Sequence, residues 1–488
     1  MEDSNENIES TRLLKDRNYD DGSKIPVFIY SGIMILGAVS TGTVLGLSAP
    51  MIPLMQKDNS SNAIHVGTSE ASWIGSLLML GGMVGGGFAG LFMQHFGRKA
   101  TAIVSGVPYI GGLLLISFAT NIWMVYAGRV ITGIAMAFTS LVVPTYVSEI
   151  STKGLRGLLG SGNQLGITFG VFLAYAAGQL PWRMLPLFLG CVPVVFVFAC
   201  LFIPEAPQYL ILDNKPIEAA ISLQKVRGKN TNIQRELEGI RDSLNANAQS
   251  ASWVEIFTTP SIRWPLFLSV LAMFLQQFSG INCVMFYFHT IFETAGFKTA
   301  TQLYMASLLV SGIQVVFTAV SCLLIDRTGR RVLLGFSGGV MALSMVAFGL
   351  YFQLTYAGHK GNLNWLALSS MMVYIVAFSL GLGPIPWVLM AELIPLRGRA
   401  KCGGLVTTFN LFFAFITTKE FQDLVKATSS QATFWMFGGV CATIILYAVF
   451  LLPETKGRTL EEIEQHFQRH EIYESLDGAT KQDIAPAT

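Results

Sequence analysis

Twelve apolar runs, each long enough to cross about 30 Å of hydrocarbon, limit what this 488-residue chain can become. They cover roughly 27–47, 71–92, 100–119, 122–145, 157–178, 184–203, 264–292, 302–325, 332–353, 363–390, 402–420 and 432–452. Lipid offers no partner to a backbone N–H or C=O, so runs of this length cross it as helices. Only 13% of the residues are charged, about half the share of a soluble chain. The expectation is an all-α membrane protein with twelve transmembrane helices. A net charge of +2 gives no reason to expect a nucleic-acid partner.

The polar stretches set the organisation. Residues 1–26 form a polar tail without a signal-peptide pattern, and 27–203 hold the first six runs. A charged stretch, 204–262, follows; Asn214-Lys215-Pro216 and Thr231-Asn232 in it read as helix starts. Residues 263–452 hold the other six runs, and the tail 453–488 carries a capping-box pattern, Thr459-Leu460-Glu461-Glu462. Basic residues crowd the loops after even-numbered runs (Arg98, Lys99, Lys153, Arg156, Arg327, Arg330, Arg331, Arg397, Arg399, Lys401) and the central stretch. The odd loops carry few. The positive-inside rule therefore places both tails and the central stretch in the cytosol, with lipid bilayer around the rest. The first odd loop holds a glycosylation sequon at Asn59.

Inside the seventh run lies Gln276-Gln277-Phe278-Ser279-Gly280-Ile281-Asn282. A buried amide without a partner costs about 1–3 kcal/mol, so these side chains point to a cavity or a neighbouring helix. On an unbroken helix Asn282 projects away from Gln276, and one bound molecule could meet all three amides only if the helix opens near Gly280. Broken helices at mid-membrane build solute sites in transporters, whereas amides also join helices in ordinary bundles. The stretch alone leaves both open.

The two halves repeat. Gly97-Arg98-Lys99 matches Gly329-Arg330-Arg331; Glu149 precedes Arg156 by seven residues, as Glu392 precedes Arg399. Pro204-Glu205 matches Pro453-Glu454, and Ser161 and Gln164 match Thr407 and Asn410. A six-span unit has been duplicated, and loop anchoring alone does not explain glutamates at matched spacing.

With Gly128-Arg129, Pro144-x-Tyr146-x-Ser148-Glu149, Gln164-Leu165, Pro204-Glu205-x-Pro207, Asp326-Arg327-x-Gly329-Arg330-Arg331, Gly383-Pro384-Ile385-Pro386-Trp387 and Pro453-Glu454-Thr455-Lys456-Gly457, the chain resembles the sugar-porter branch of the major facilitator superfamily over about residues 27–467. Glu9-x-x-x-Leu13-Leu14 and Leu-Gly-x-Ser-x-Pro at 45–50 look most like the class-three facilitative glucose transporters. The departures are Gln94-His95 for an acid-arginine pair, Ala206 and Gln208 in the Pro-Glu motif, Leu411 for a tryptophan, and Thr41-Gly42-Thr43 in the first run.

The resemblance implies facilitative uniport of hexoses such as glucose and fructose by alternating access. Gln164, Gln276, Gln277, Asn282, Gln314 and Asn410 would contact the sugar, with Trp387 as an apolar platform. Neutral amides suit a polyol whose hydroxyls each donate and accept. Arg98, Glu149, Arg156, Arg330, Glu392 and Arg399 would form the gate, pairing across the halves when the inner side is shut. Glu9, Leu13 and Leu14 would recruit clathrin-type adaptors and hold the protein in endosomal, lysosomal or other vesicle membranes, with cycling to the cell surface. Trehalose or dehydroascorbate as cargo is the alternative, as is proton coupling; the latter needs a titratable group near the cavity. The first span has no acid, and the seventh offers only His289 and the terminal Glu293. The six cysteines show no metal spacing, and no nucleophile-base pair is visible, so neither a metal, a cofactor nor an enzyme is expected.

Overall fold

The computed structural model describes residues 23–58, 64–152, 155–228, 231–246, 251–294, 296–297, 299–357, 363–395, 397–456, 463 and 467. Every one of the twelve apolar runs is helical. The first is α1 (Lys24–Gly46) continued by α2 (Ser48–Gln56). The second and third form α3 (Thr68–Ser117), which is two spans joined at Gly97, where φ is +88°. Then come α4 (Ile122–Ile150), α5 (Arg156–Ala176) and α6 (Met184–Cys200).

The central stretch holds α7 (Pro207–Leu212), α8 (Pro216–Arg227), α9 (Gln234–Ala246) and α10 (Trp253–Thr258). Proline at the first helical position starts α7 and α8, because its missing N–H is one the helix could not use. Asn232 Oδ1 accepts from Gln234 N–H at 3.1 Å at the start of α9. A reciprocal Ser252–Glu255 box starts α10.

The seventh run is split into α11 (Pro260–Phe278), α12 (Ile281–Phe286) and α13 (Phe288–Thr294). Helices α14 (Ala300–Thr328) and α15 (Arg330–Tyr356) follow, then a broken tenth span, α16 (Asn364–Leu380) and α17 (Ile385–Leu393). Helices α18 (Arg399–Ala427) and α19 (Ser430–Leu446) complete the second half. Eight stretches among the described residues are long and apolar enough to cross a membrane by length and composition, the doubled α3 counting once. The tail's capping-box pattern lies outside the described residues.

In the first half α1 packs on α5 and α3 on α4 and α6; in the second, α11 packs on α18 and α15 on α16 and α19. The halves meet along two seams, α3 with α18 and α5 with α14. These are the second span against the eleventh and the fifth against the eighth, as a duplicated unit related by a two-fold would require. Glycines allow the tight crossings within the first half. A Cβ on Gly42 would lie 2.0 Å from the Ile167 carbonyl oxygen, and one on Gly170 would lie 2.1 Å from that of Val39. Only glycine lets α1 and α5 approach this closely.

Candidate functional site

Gly280 opens the seventh span. Its φ of +91° is left-handed, and a Cβ there would sit 2.6 Å from the ring of Phe437. Ser279 Oγ donates back to Gln276 O at 2.7 Å, and Tyr374 Oη donates to Ser279 O at 3.0 Å. The carbonyls freed at the break thus find hydroxyls, which lipid could not supply.

The break sorts the amides into two pairs. Gln276 Nε2 donates to Leu382 O and Gly383 O, both at 2.9 Å, and Gln276 Oε1 accepts from Asn410 Nδ2 at 3.1 Å. Asn410 also reaches Met273 Sδ at 3.2 Å. The Leu382 and Gly383 carbonyls lie in the unwound segment of the tenth span, and Ser321 and Ser337 donate to the Leu380 and Ala377 carbonyls in the last turn of α16. Gln276 and Asn410 therefore act in this state as ties between spans seven, ten and eleven. Across the break, Asn282 Nδ2 donates to Gln277 Oε1, five residues earlier, at 2.5 Å. Among the described residues Gln277 Nε2 and Asn282 Oδ1 take no partner.

Gln314 is buried on α14 with its Oε1 unpartnered, as is Thr318 Oγ1 one turn on. Gln164 is half-buried on α5. Trp387, half-buried on α17, packs against the cluster of Ile262, Leu266, Met273 and Val406. No hydrogen bond joins Gln164, Gln314 or Trp387 to the two amide pairs among the described residues. Leu411 is buried at the α3–α18 seam, where a Cβ on Gly82 would meet it at 3.2 Å.

Sequence reading gave Arg129 no role. Its side chain is fully buried, and it donates to Ile74 O (2.9 Å), Val44 O (2.8 Å) and Ser48 Oγ (2.6 Å). Every one of these acceptors is neutral. The signal was an arginine in mid-run, which only a neighbouring helix could satisfy. Close by, Thr41, Tyr109 and Thr139 close a hydroxyl triangle with sides of 2.8–2.9 Å, which uses the unusual Thr41.

The gate candidates pair within each half. Arg98 donates to Glu149 Oε1 at 2.6 and 3.1 Å, and Arg330 to Glu392 Oε1 at 2.9 Å. Arg98 and Arg330 each open a helix just after a glycine of positive φ, and the Pro-Glu motifs cap those helices. Glu205 accepts from the N–H groups of Arg98 and Lys99, and Glu454 from those of Arg330 and Arg331. A carboxylate at a helix N-terminus is favourable in both halves. One difference is informative. Glu392 Oε2 accepts from Thr455 Oγ1 at 2.6 Å, whereas Glu149 Oε2 is buried without a partner. The residue of the first half that matches Thr455 is Ala206, which has no hydroxyl. Arg399 donates to Ile394 O at 3.4 Å, within its own half; the side chain of Arg156 lies outside the described residues, as do Asn59, Glu9, Leu13 and Leu14.

At the end of the bundle away from these basic motifs, the seam is tied directly. Tyr175 Oη donates to Met285 O at 2.7 Å, Ser72 Oγ to Lys419 O at 3.1 Å, and Tyr304 Oη to Ala176 O at 3.0 Å. Trp73 packs on Phe415, and Tyr175 on Phe288. An exposed pair, Lys57–Glu293 at 3.0 Å, adds to them. Toward the basic end the seam carries a long thiol contact, Cys322 Sγ to Ser161 O at 3.7 Å. Gly160, Gly403 and Gly404 there face open space, where an added Cβ would meet nothing within 4 Å.

Residues 31–467 match the profile of a family described as "Sugar (and other) transporter". The facilitated glucose transporter member 8 of solute carrier family 2 from Mus musculus is 38% identical over 463 residues, covering 91% of this chain and 94% of that protein. The facilitated trehalose transporter Tret1 of Apis mellifera ligustica is 35% identical, covering 84% of this chain and 82% of its own. In fold, the chain superimposes on the proton:xylose symporter XylE bound to 6-bromo-6-deoxy-D-glucose with a TM-score of 0.77 and 22% identity, covering 90% of this chain and 99% of that one. The fold is that of the major facilitator superfamily.

Proposed function

The chain belongs to the sugar (and other) transporter family, and on that premise we propose that it carries hexoses such as glucose and fructose by passive uniport. It is a sugar-transporting, multi-pass membrane protein and not an enzyme. The observation that carries the passive reading is Arg129. A buried cation near a membrane cavity is where an acid would bring a proton into the cycle. Here the guanidinium is held by two carbonyls and a hydroxyl, and among the described residues no carboxylate pairs with it.

Alternating access follows from the unequal ends. The basic end faces the cytosol in this reading, and the halves 27–203 and 263–452 rock about the site, with 204–262 bridging them. Ties across the far end and open space at the basic end support an inward-facing state. Arg98, Glu149, Arg156, Arg330, Glu392 and Arg399 then re-pair across the halves when the inner side shuts. Gln164, Gln277, Asn282 and Gln314 offer free polar atoms to a sugar, while Gln276 and Asn410 transmit its arrival to the tenth span. Trp387 supplies apolar surface as that span bends at Gly381, Gly383 and Pro384. A few hydrogen bonds of about 0.5–1.5 kcal/mol each suffice for millimolar binding. Glu9, Leu13 and Leu14 direct the protein to vesicle membranes through a clathrin adaptor, a reading that the acidic dileucine spacing supports.

Counterflow of labelled glucose, fructose and trehalose in proteoliposomes tests the substrate. The hexoses should exchange and trehalose should not. Exchange of trehalose alone would turn the assignment toward the insect relatives.

A further inference from the structure

A half-open cavity of about 160 Å³ lies in the second half at the far end, where α13, α15, α18 and α19 meet. Four rings dominate its walls: Tyr287 stacks on Phe421 with centroids 5.2 Å apart, and Phe352 lies parallel to Phe434 at 5.7 Å, with Thr290, Ser430 and the exposed Lys426 also in the lining. Gln422 lines it, and the buried Oε1 of that amide has no partner among the described residues. None of the amides assigned above to the sugar belongs to this lining.

We propose that the cavity is a second binding site, for a single-ring amphiphile with one hydroxyl, such as a phenol. A dry cavity of about 150 Å³ accepts a benzene-sized guest, so one ring fills the volume. The aromatic walls favour an offset-stacked or edge-on ring. The hydroxyl gives Gln422 Oε1 the donor it lacks, and a hydroxyl can also accept from the amide's N–H. A sugar would bring hydroxyls all round its ring against walls that four aromatic rings dominate. A bare hydrocarbon would leave the Gln422 oxygen unanswered.

The site has a mechanical consequence, which rests on the alternating-access reading. Thr290 and Ile291 of α13 form one wall, and the same helix carries Glu293, paired with Lys57 of the first half. The cavity is complete only while α13 lies against α18 and α19. A ligand that needs all four walls favours the state in which the far end is shut, and slows sugar uptake from that side.

The test uses the full chain in nanodiscs, with 4-fluorophenol and fluorobenzene followed by fluorine NMR. Wild type should bind both saturably. Gln422→Leu should weaken 4-fluorophenol roughly two- to tenfold and leave fluorobenzene unchanged. Val425→Phe, which fills the cavity, should abolish saturable binding of both while hexose counterflow persists. Non-saturable signals identical in all three proteins would mean partition into the bilayer and overturn the site. Saturable binding indifferent to both substitutions would overturn it equally. Should Val425→Phe fail to fold, the phenol-to-fluorobenzene ratio in Gln422→Leu still decides. Loss of counterflow in wild type would count against the transport reading and not against the site.

Discussion

The two ends of the bundle are held by different physics. At the basic end the charge pairs among the described residues lie inside one half, Arg98 with Glu149 buried and Arg330 with Glu392 partly so, and a long thiol contact crosses the seam. At the far end the ties cross the seam, and most are neutral, hydroxyl to carbonyl or ring to ring, with one exposed ion pair. Buried pairs are strong to break and set each half as a body. Neutral bonds of modest strength are suited to a clasp that must open at every cycle.

The largest effect should come from separating one buried pair. Glu149→Ala leaves Arg98 buried without its partner and should cost about 3–5 kcal/mol, read as a lower melting midpoint in detergent. Arg98→Met combined with Glu149→Leu should recover most of it. At the far end Glu293→Ala removes half of a pair whose side chains are 46% and 64% exposed, and should cost about 0–1 kcal/mol. Equal losses at the two ends would erase the distinction.

Gly280→Ala forces a side chain into left-handed backbone against Phe437, at about 1–3 kcal/mol. It should reduce counterflow further than Gly403→Ala, whose added methyl meets nothing. Smaller still is a gain. Ala206→Ser should give Glu149 Oε2 the hydroxyl that Thr455 gives Glu392, raising stability by about 1 kcal/mol in the first half. No change in the melting midpoint would mean that the halves are not equivalent here. The clasp itself can be loosened: Tyr175→Phe removes one bond of about 0.5–1.5 kcal/mol, and should shift the protein two- to tenfold toward far-side accessibility to a thiol probe at Thr68→Cys.

Much of this plan was legible in the chain. The length of the runs gave the helices, and the matched spacing of Glu149 and Glu392 pointed to equivalent inner ends. Gly280 was legible as a break because three amides could not otherwise share a target. The partners were not. Gln276 donates to carbonyls 106 and 107 residues away, and every residue has a carbonyl, so such acceptors leave no mark in a sequence. The far-end clasp is hidden for the same reason, since Tyr175, Ser72 and Tyr304 all donate to backbone oxygens. Arg129 was visible, yet the neutrality of its surroundings needed three helices in place.

That neutrality is the centre of the account: among the described residues, the buried Arg129 is held by two carbonyls and a hydroxyl and pairs with no acid. The direct test is sugar movement in proteoliposomes under an imposed pH gradient, with no sugar gradient at the start. Labelled hexose should equilibrate to equal concentrations on the two sides, at a level that a protonophore leaves unchanged. Accumulation above the outside concentration, abolished by the protonophore, would contradict passive uniport and require a proton carrier in the cycle.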